Sequence, residues 1–132
     1  MIELLNLSQV LEAVRSTGTE VRYHDEECKE GYAGMYKLRS DTLIICPNNQ
    51  LNHSDLFDTI RHEAIHIAQA CNGKPILSYD YYLKNAPDHI KDAVSEYPQD
   101  RFTQHMELEA FMGAAYLNEG QVINMINKYC FE

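Results

Sequence analysis

The chain has 132 residues, enough for one domain with a single substantial core. Its 11 Lys and Arg against 20 Asp and Glu give a net charge of −9 at pH 7, which argues against nucleic acid or an anionic membrane surface as a partner. No apolar run reaches the length of a membrane span, and the first residues lack the basic start and apolar centre of a signal peptide, so we expect a cytoplasmic protein.

The first third of the chain predicts a helix followed by a strand. Residues 3–17 carry apolar side chains at three- and four-residue intervals, and Gly18 ends this pattern. Residues 19–24 alternate in polarity, as a half-buried strand does. His24 lies alone on this strand, so we expect it to be structural or exposed and not a ligand.

The next two apolar stretches predict a hairpin. Residues 32–39 and 42–46 read as strands joined by a tight turn at Ser40-Asp41, although this is not the favoured asparagine-glycine type, so the loop can be longer. Pro47 ends the second strand. The strand that runs to Cys46 is either an edge that pairs with an extended substrate or an ordinary covered edge.

Four cysteines are scattered along the chain at Cys28, Cys46, Cys71 and Cys130. They show no short paired spacing, so neither a zinc knuckle nor a dithiol redox motif is indicated. In a reducing cytoplasm we expect free thiols that are buried as small apolar side chains.

A long amphipathic helix is predicted in the middle of the chain. Ser54 or Asn52 can cap its start, and Asn72-Gly73 ends it. Its apolar residues recur at helical spacing: Leu56, Phe57, Ile60, Ala64, Ile67, Ala68 and Cys71.

This helix carries two histidines around a glutamate. His62 and His66 are four residues apart, so on a helix they lie on one face and can bind one ion. Glu63 then lies beside that ion as a base for a bound water. Histidine, glutamate and histidine at this spacing on a helix are the signature of zinc-dependent hydrolysis.

The second half of the chain predicts three further segments. Residues 74–86 read as a loop rich in tyrosine, which either packs or borders a substrate cleft. Pro87 begins a short helix that ends before Pro98. Helical periodicity returns at residues 102–118 and again at 121–129, where the apolar face is either core or an oligomer contact, and the oligomeric state stays open.

A catalytic zinc ion usually has three protein ligands, so one more donor is needed. Glu109 shares its helix face with apolar and small residues, where a carboxylate must be paired or bind a metal, and we predict it as the third ligand. Glu107, two residues earlier, points to the opposite side of the helix. Because the phase of a helix is not fixed by sequence, Glu107, His105 and His89 remain candidates for the same role.

These elements predict an α+β fold, with a small antiparallel sheet of about three strands packed on the motif helix and further helices. The motif His62-Glu63-Ala64-Ile65-His66, followed by Glu107-Leu108-Glu109-Ala110, resembles the gluzincin branch of zincin-like metallopeptidases. More narrowly, it is similar to minimal phage and bacterial zincins related to the ImmA/IrrE peptidases. That resemblance implies a single zincin-like peptidase domain over 1–132, a protein or peptide substrate, and a zinc ligand at the glutamate before the alanine, Glu109. Gln69 and Asn72 stand where metzincins have glycine and histidine, which excludes that branch.

The predicted reaction is hydrolysis of a peptide bond with Glu63 as general base. The donor to the developing oxyanion stays open among Tyr97, His105, Tyr79, Tyr81 and Tyr82. Asn118, Glu119 or a backbone carbonyl are the candidates for groups that orient the histidines. Two further functional classes also stay open. One is a protein that keeps zinc but acts by binding a partner, and the other is a structural zinc site closed by Cys71 or His89.

Overall fold

The computed structural model describes residues 2–23, 25–49 and 53–131, with the side chains of 2–7, 30, 53 and 54 left out. Within these ranges lie α1 (Ile2–Ser16), β1 (Glu20–Tyr23), β2 (Gly34–Lys37), β3 (Thr42–Ile45), α2 (His53–Asn72), α3 (Tyr79–Asn85), α4 (Asp88–Val94), α5 (Arg101–Tyr116) and α6 (Glu119–Phe131). Short 3-10 helices occupy Glu26–Glu30 and Pro47–Asn49. None of the helices in these ranges is long and apolar enough to cross a membrane. The predictions for His24 and for helix caps at Asn52 or Ser54 lie outside what is described.

The α+β class is confirmed, but the antiparallel sheet is wrong in part. The strand order is β1-β3-β2, with β2 antiparallel to β3 and β1 parallel to it. The chain between β1 and β3 contains the 3-10 helix Glu26–Glu30 and the whole of β2, which is long enough for a parallel connection.

The strand that runs to Cys46 is therefore not an edge, and that prediction is wrong. β3 lies between the two others, and all four of its residues are buried. The edges of the described sheet are β1 and β2. A continuous run of apolar residues is typical of such a central strand, whereas an edge strand has a solvated side.

The predicted hairpin between β2 and β3 is confirmed, with Gly34 opposite Ile45 and Lys37 opposite Thr42. Its connection has more residues than the two-residue turn that the sequence predicts. Asp41 ends it with a positive φ of 48°, and its Oδ1 accepts hydrogen bonds of 2.7 Å from the Thr19 and Tyr36 hydroxyls. This carboxylate holds the start of β1 to the hairpin.

The main core is formed by the inner faces of α1, β3, α2 and α6. Val10, Leu43, Ala64, Val122 and Ile126 have no exposed surface. The final helix therefore packs into the core, which was one of the two roles predicted for its apolar face. Burying that face stabilises the packing of α6 by about 25 cal/mol per Å² of apolar surface.

The predicted loop over 74–86 is wrong in its second half, which forms α3. The Ser78 hydroxyl accepts a hydrogen bond from the Tyr81 backbone N–H and caps the helix start. Tyr82 is buried in a second apolar cluster with Ile90 and Leu108. Because α3 is short and buries one ring, its sequence shows little helical periodicity.

The expectation of free thiols is wrong in this structure. Cys28 is bonded to Cys46, and Cys71 is bonded to Cys130. The first bridge joins the 3-10 helix before β2 to the end of β3, and the second joins the C-terminal ends of α2 and α6. Partners 18 and 59 residues apart are brought together by the fold, which spacing along the chain does not reveal.

Candidate metal and catalytic site

The two motif histidines lie on the face of α2 that packs against α5. Their ring centroids are 4.9 Å apart, and the His62 ring makes a T-shaped contact with Phe111 on α5, with 4.5 Å between the ring centroids. The helices approach closely because α5 has Gly113 at the contact. A Cβ there would overlap the terminal methyl of Ile65, a fully buried residue of α2.

A carboxylate from α5 completes the group. Glu107 Oε1 lies 3.1 Å from His62 Nε2, and its Oε2 lies 3.1 Å from His66 Nε2. The three ligand atoms lie within 4.8 Å of one another. Two imidazole nitrogens and one carboxylate oxygen at these distances could hold a metal ion.

Glu109, predicted as the third ligand, is not part of this group. Its carboxylate accepts hydrogen bonds from the Ile76 and Leu77 backbone N–H groups at 2.8 Å, from the Tyr82 hydroxyl at 2.8 Å and from Gln69 Nε2 at 2.9 Å. The buried acid is satisfied by hydrogen bonds and not by a metal, the other solution open to a buried carboxylate. The sequence named both glutamates, and the structure selects Glu107 by the phase of α5.

The two histidines that were candidates for the third ligand also lie elsewhere. His105 Nε2 is hydrogen-bonded to the Leu77 carbonyl at 2.7 Å, and His89 is exposed on α4. Cys71 is held in its disulfide and cannot close a structural zinc site.

Gln69 is a site residue that the sequence reasoning missed. Its Oε1 lies 2.7 Å from His66 Nδ1, so it orients the ring of that histidine. Asn118 instead caps α6 through its Oδ1, and Glu119 pairs with Arg61 at 2.7 Å. The available signal was position, because residue 69 follows His66 by three on the same helix face.

Between His66 and Glu107, the neighbouring charges favour a proton on the histidine. Burial alone would lower the pKa of His66, but its hydrogen bond to Glu107 and the charges of Glu63 and Glu107 outweigh burial and raise the pKa to about 9. Burial would raise the pKa of Glu107, but its hydrogen bonds to His62 and His66 lower it to about 2. Glu107 is therefore a carboxylate throughout the physiological range, as a metal ligand must be.

Glu63 lies beside this group on α2. Burial raises its pKa above the ordinary value and the charge of Glu107 adds to that rise, while the charges of His62 and His66 and the nearby backbone of Tyr36 in β2 act against it. A carboxyl with a raised pKa is suited to take up a proton and pass it on.

His62 and Glu63 open onto a cleft of about 420 Å³, within the size range of small-ligand and substrate sites. Tyr97 lines the same cleft and packs against Phe111 at 6.0 Å. Burial and the charges of Glu107 and Glu63 raise the pKa of Tyr97 to about 12, so its hydroxyl keeps its proton at neutral pH. The remaining candidates for the oxyanion donor do not line this cleft; they are Tyr79, Tyr81, Tyr82 and His105.

One sequence family matches nearly the whole chain. Residues 2–131 match the profile of the family described as "Domain of unknown function (DUF8637)". The chain belongs to this family. No curated protein and no solved structure shows a significant match to it. The chemistry of the site therefore rests on its own residues.

Proposed function

We propose that the protein is a zinc-dependent peptidase of the gluzincin type, in which His62, His66 and Glu107 bind the metal and Glu63 is the general base. The observation that carries this proposal is the convergence of the three ligand atoms within 4.8 Å, with Glu63 on the adjoining wall of an open cleft. The proposal replaces Glu109 by Glu107 in the ligand set that the sequence suggested.

The donor set fits zinc better than the hard cations. Two imidazole nitrogens and one carboxylate oxygen are a ligand set of catalytic zinc, whereas magnesium and calcium prefer oxygen alone. Zinc in such a site lowers the pKa of water and polarises a carbonyl oxygen. A site with three protein ligands also leaves one position for water or substrate.

Glu63 carries the proton transfers. Its carboxylate takes the proton of the attacking water and later gives it to the leaving amine, and the raised pKa makes Glu63 a stronger base for the first of these transfers. Tyr97, protonated at neutral pH, is positioned on the cleft wall to donate a hydrogen bond to the developing oxyanion.

We propose that the substrate lies along β2. This strand is an edge of the sheet, and its first residue Gly34 lines the cleft together with Ala33. An extended peptide that adds to such an edge pairs its backbone N–H and C=O groups with those of the edge strand and so lies beside it in a fixed register. Gly34 also sets the spacing to α2, since a Cβ there would come within 2.7 Å of the Thr59 methyl.

The test combines metal content with turnover. The full chain is purified without added metal, its zinc content is measured by elemental analysis, and cleavage of unfolded protein substrates and of quenched fluorescent peptides is followed. We expect about one zinc per chain and cleavage that a chelator abolishes. Glu63→Gln should retain zinc and lose at least about 100-fold in turnover, because only the proton acceptor is removed. The matched control is Glu12→Gln on the exposed face of α1, which should change neither.

Each outcome has a distinct meaning. Zinc without turnover in the wild type would favour a protein that keeps its metal in order to bind a partner. A protein that binds no zinc, or an equally active Glu63→Gln variant, would contradict the proposal.

A further inference from the structure

Behind the metal group lies a second pair of buried polar residues, Gln69 on α2 and Glu109 on α5. Gln69 has no exposed surface and Glu109 is 1% exposed, so each must find all of its hydrogen bonds inside the protein. A buried amide and a buried carboxylate are costly unless every polar atom is paired. The hydrogen-bond partners of these two residues therefore indicate their role.

The amide of Gln69 is fixed at both ends. Its Nε2 donates to the Met106 carbonyl at 3.1 Å and to Glu109 Oε1 at 2.9 Å, both of which only accept. Its Oε1 is thereby turned toward His66, whose Nδ1 lies 2.7 Å away. A flipped amide would place an N–H donor against His66 Nδ1 and its oxygen against a carboxylate.

We infer that Gln69 and Glu109 are positioning residues which hold His66 with a proton on Nδ1 and with Nε2 directed at the metal. The direction of each hydrogen bond follows from the carboxylate at one end, because Glu109 accepts from Gln69 and Gln69 accepts from His66. The His66 Nε2 is then the atom that faces Glu107, 3.1 Å from its Oε2. Outer groups of this kind fix the tautomer and ring orientation of metal-binding histidines.

Glu109 is itself anchored to backbone. The N–H groups of Ile76 and Leu77, in the segment between α2 and α3, donate to it at 2.8 Å, and so does the buried Tyr82 hydroxyl of α3. The relay from Glu109 through Gln69 to His66 therefore starts at a fixed point of the chain. His62 has a different neighbour, since its ring packs in a T-shaped contact against Phe111 with 4.5 Å between the ring centroids.

The inference rests on the proposed metal site, and its test separates the two. Zinc affinity is measured by competition with a chromophoric chelator for the wild type, Gln69→Leu and Glu109→Gln. Gln69→Leu preserves bulk but removes the acceptor for His66, and we expect zinc affinity to fall about 10- to 100-fold, the usual effect of losing such an outer partner. Glu109→Gln should lower it less, by about 3- to 10-fold, because Gln69 still accepts from His66.

A reciprocal exchange tests the direction of the relay. In the double variant Gln69→Glu/Glu109→Gln, His66 Nδ1 again has an acceptor and the two new side chains can pair, but the Met106 carbonyl loses its donor. We therefore expect zinc affinity above that of Gln69→Leu and below that of the wild type, a recovery that a loss of packing alone would not give.

The matched control removes a buried hydrogen bond far from the site. Thr19→Val deletes the 2.7 Å bond to Asp41 at a position that is 4% exposed, and it should lower stability while leaving zinc affinity unchanged. Circular dichroism confirms that each variant compared is folded.

A readout without metal keeps the inference apart from the proposed function. Long-range ¹⁵N–¹H correlation spectra of the metal-free protein should show a protected Nδ1 proton for His66 in the wild type and none in Gln69→Leu. If the wild type binds no zinc but shows this proton, the metal proposal fails and the relay stands. A folded Gln69→Leu variant that keeps the protected proton, or that keeps wild-type zinc affinity where the wild type binds zinc, would overturn the relay.

Discussion

At the scale of single residues, a proton and a metal ion would compete for the same atoms of the proposed site. His66 Nε2 and Glu107 Oε2 are 3.1 Å apart, and without a cation a proton on His66 holds them together. A metal bound by the same two side chains displaces that proton. The stability of the metal-free protein and the stabilisation by a bound metal should therefore change with pH in opposite directions.

The stability of the chelator-treated protein should fall as the pH rises above 6.5. The pKa of His66 is raised from 6.5 to about 9 in the fold, so its stabilisation is complete below 6.5 and is lost as the pH rises through about 9. The pKa of Glu107 is lowered from 4.5 to about 2, so its stabilisation is complete above 4.5 and is lost as the pH falls through about 2. From pH 6.5 to 9, urea unfolding should show a loss on the order of 1 to 3 kcal/mol.

With zinc the sign reverses, because a higher pH leaves fewer protons to compete for the ligand atoms. The stabilisation by a fixed excess of zinc should therefore grow over the same interval. His66→Gln removes the titrating ring and supplies the baseline from all other groups. A metal-free wild type whose stability runs parallel to that of His66→Gln between pH 6.5 and 9 would rule out the charged His66–Glu107 pair.

At the scale of elements, the periodicity of apolar residues predicts the long helices but not how they are rotated against one another. The helix containing His62 and His66 was predicted because apolar residues recur along its whole length, and the four-residue spacing fixed the relation of the histidines to each other. The identity of the third ligand was not fixed, since Glu107 and Glu109 differ by a rotation of α5 that only packing sets. That packing depends on long-range contacts, such as Gly113 against Ile65.

The same limit explains the sheet and α3. Alternation identified β1 and the hairpin, but not that β1 lies parallel to β3, because strand order depends on where the connection passes. Ser78 caps the start of α3, but Tyr82 is the one buried residue of this helix, so its sequence shows no helical periodicity. In the sequence, Gln69 is informative only because metzincins have glycine at this position. Its contact with His66 is seen only in the structure.

The contact between α2 and α5 gives a prediction at this scale. In Gly113→Ala the new methyl overlaps the Ile65 terminal methyl, so the helices must separate or Ile65 must leave its rotamer. Overpacking costs about 1 to 3 kcal/mol, partly offset by the roughly 1 kcal/mol helix preference of alanine over glycine. We expect a net loss of about 1 kcal/mol in chemical denaturation, with weaker zinc binding because Glu107 moves from the histidines.

Removing the overlapping atom should reverse this loss. Ile65→Val deletes the terminal methyl and alone costs about 0.5 to 1.5 kcal/mol, and in that background Gly113→Ala should be neutral or stabilising. Gly120→Ala is the matched control, since a Cβ there meets only Asn118 Oδ1 at 3.4 Å. Additive effects of the two α2–α5 substitutions would show that Gly113 does not set the distance between these helices.

At the scale of the whole molecule, two disulfides each close a loop, one in the first half of the chain and one in the second. Cys28–Cys46 fastens the segment that leads into β2, and therefore the wall of the cleft, to the central strand β3. Cys71–Cys130 fastens α6 to the far end of the helix that carries both histidines. Such bridges persist in oxidising compartments, so they bear directly on the cytoplasmic location expected from the N-terminal sequence.

The two bridges should stabilise the protein by different amounts, because they close loops of different length. With partners 59 residues apart, loss of Cys71–Cys130 in the double alanine variant should cost about 4 kcal/mol, and with partners 18 apart, loss of Cys28–Cys46 should cost about 3 kcal/mol. Guanidinium unfolding without reductant measures both, and fully reduced wild type should be less stable than either variant. The control is a thiol titration of unfolded, unreduced protein, in which bridged cysteines give no free thiol. Four free thiols in protein purified without reductant would contradict both bridges and agree with a reducing compartment.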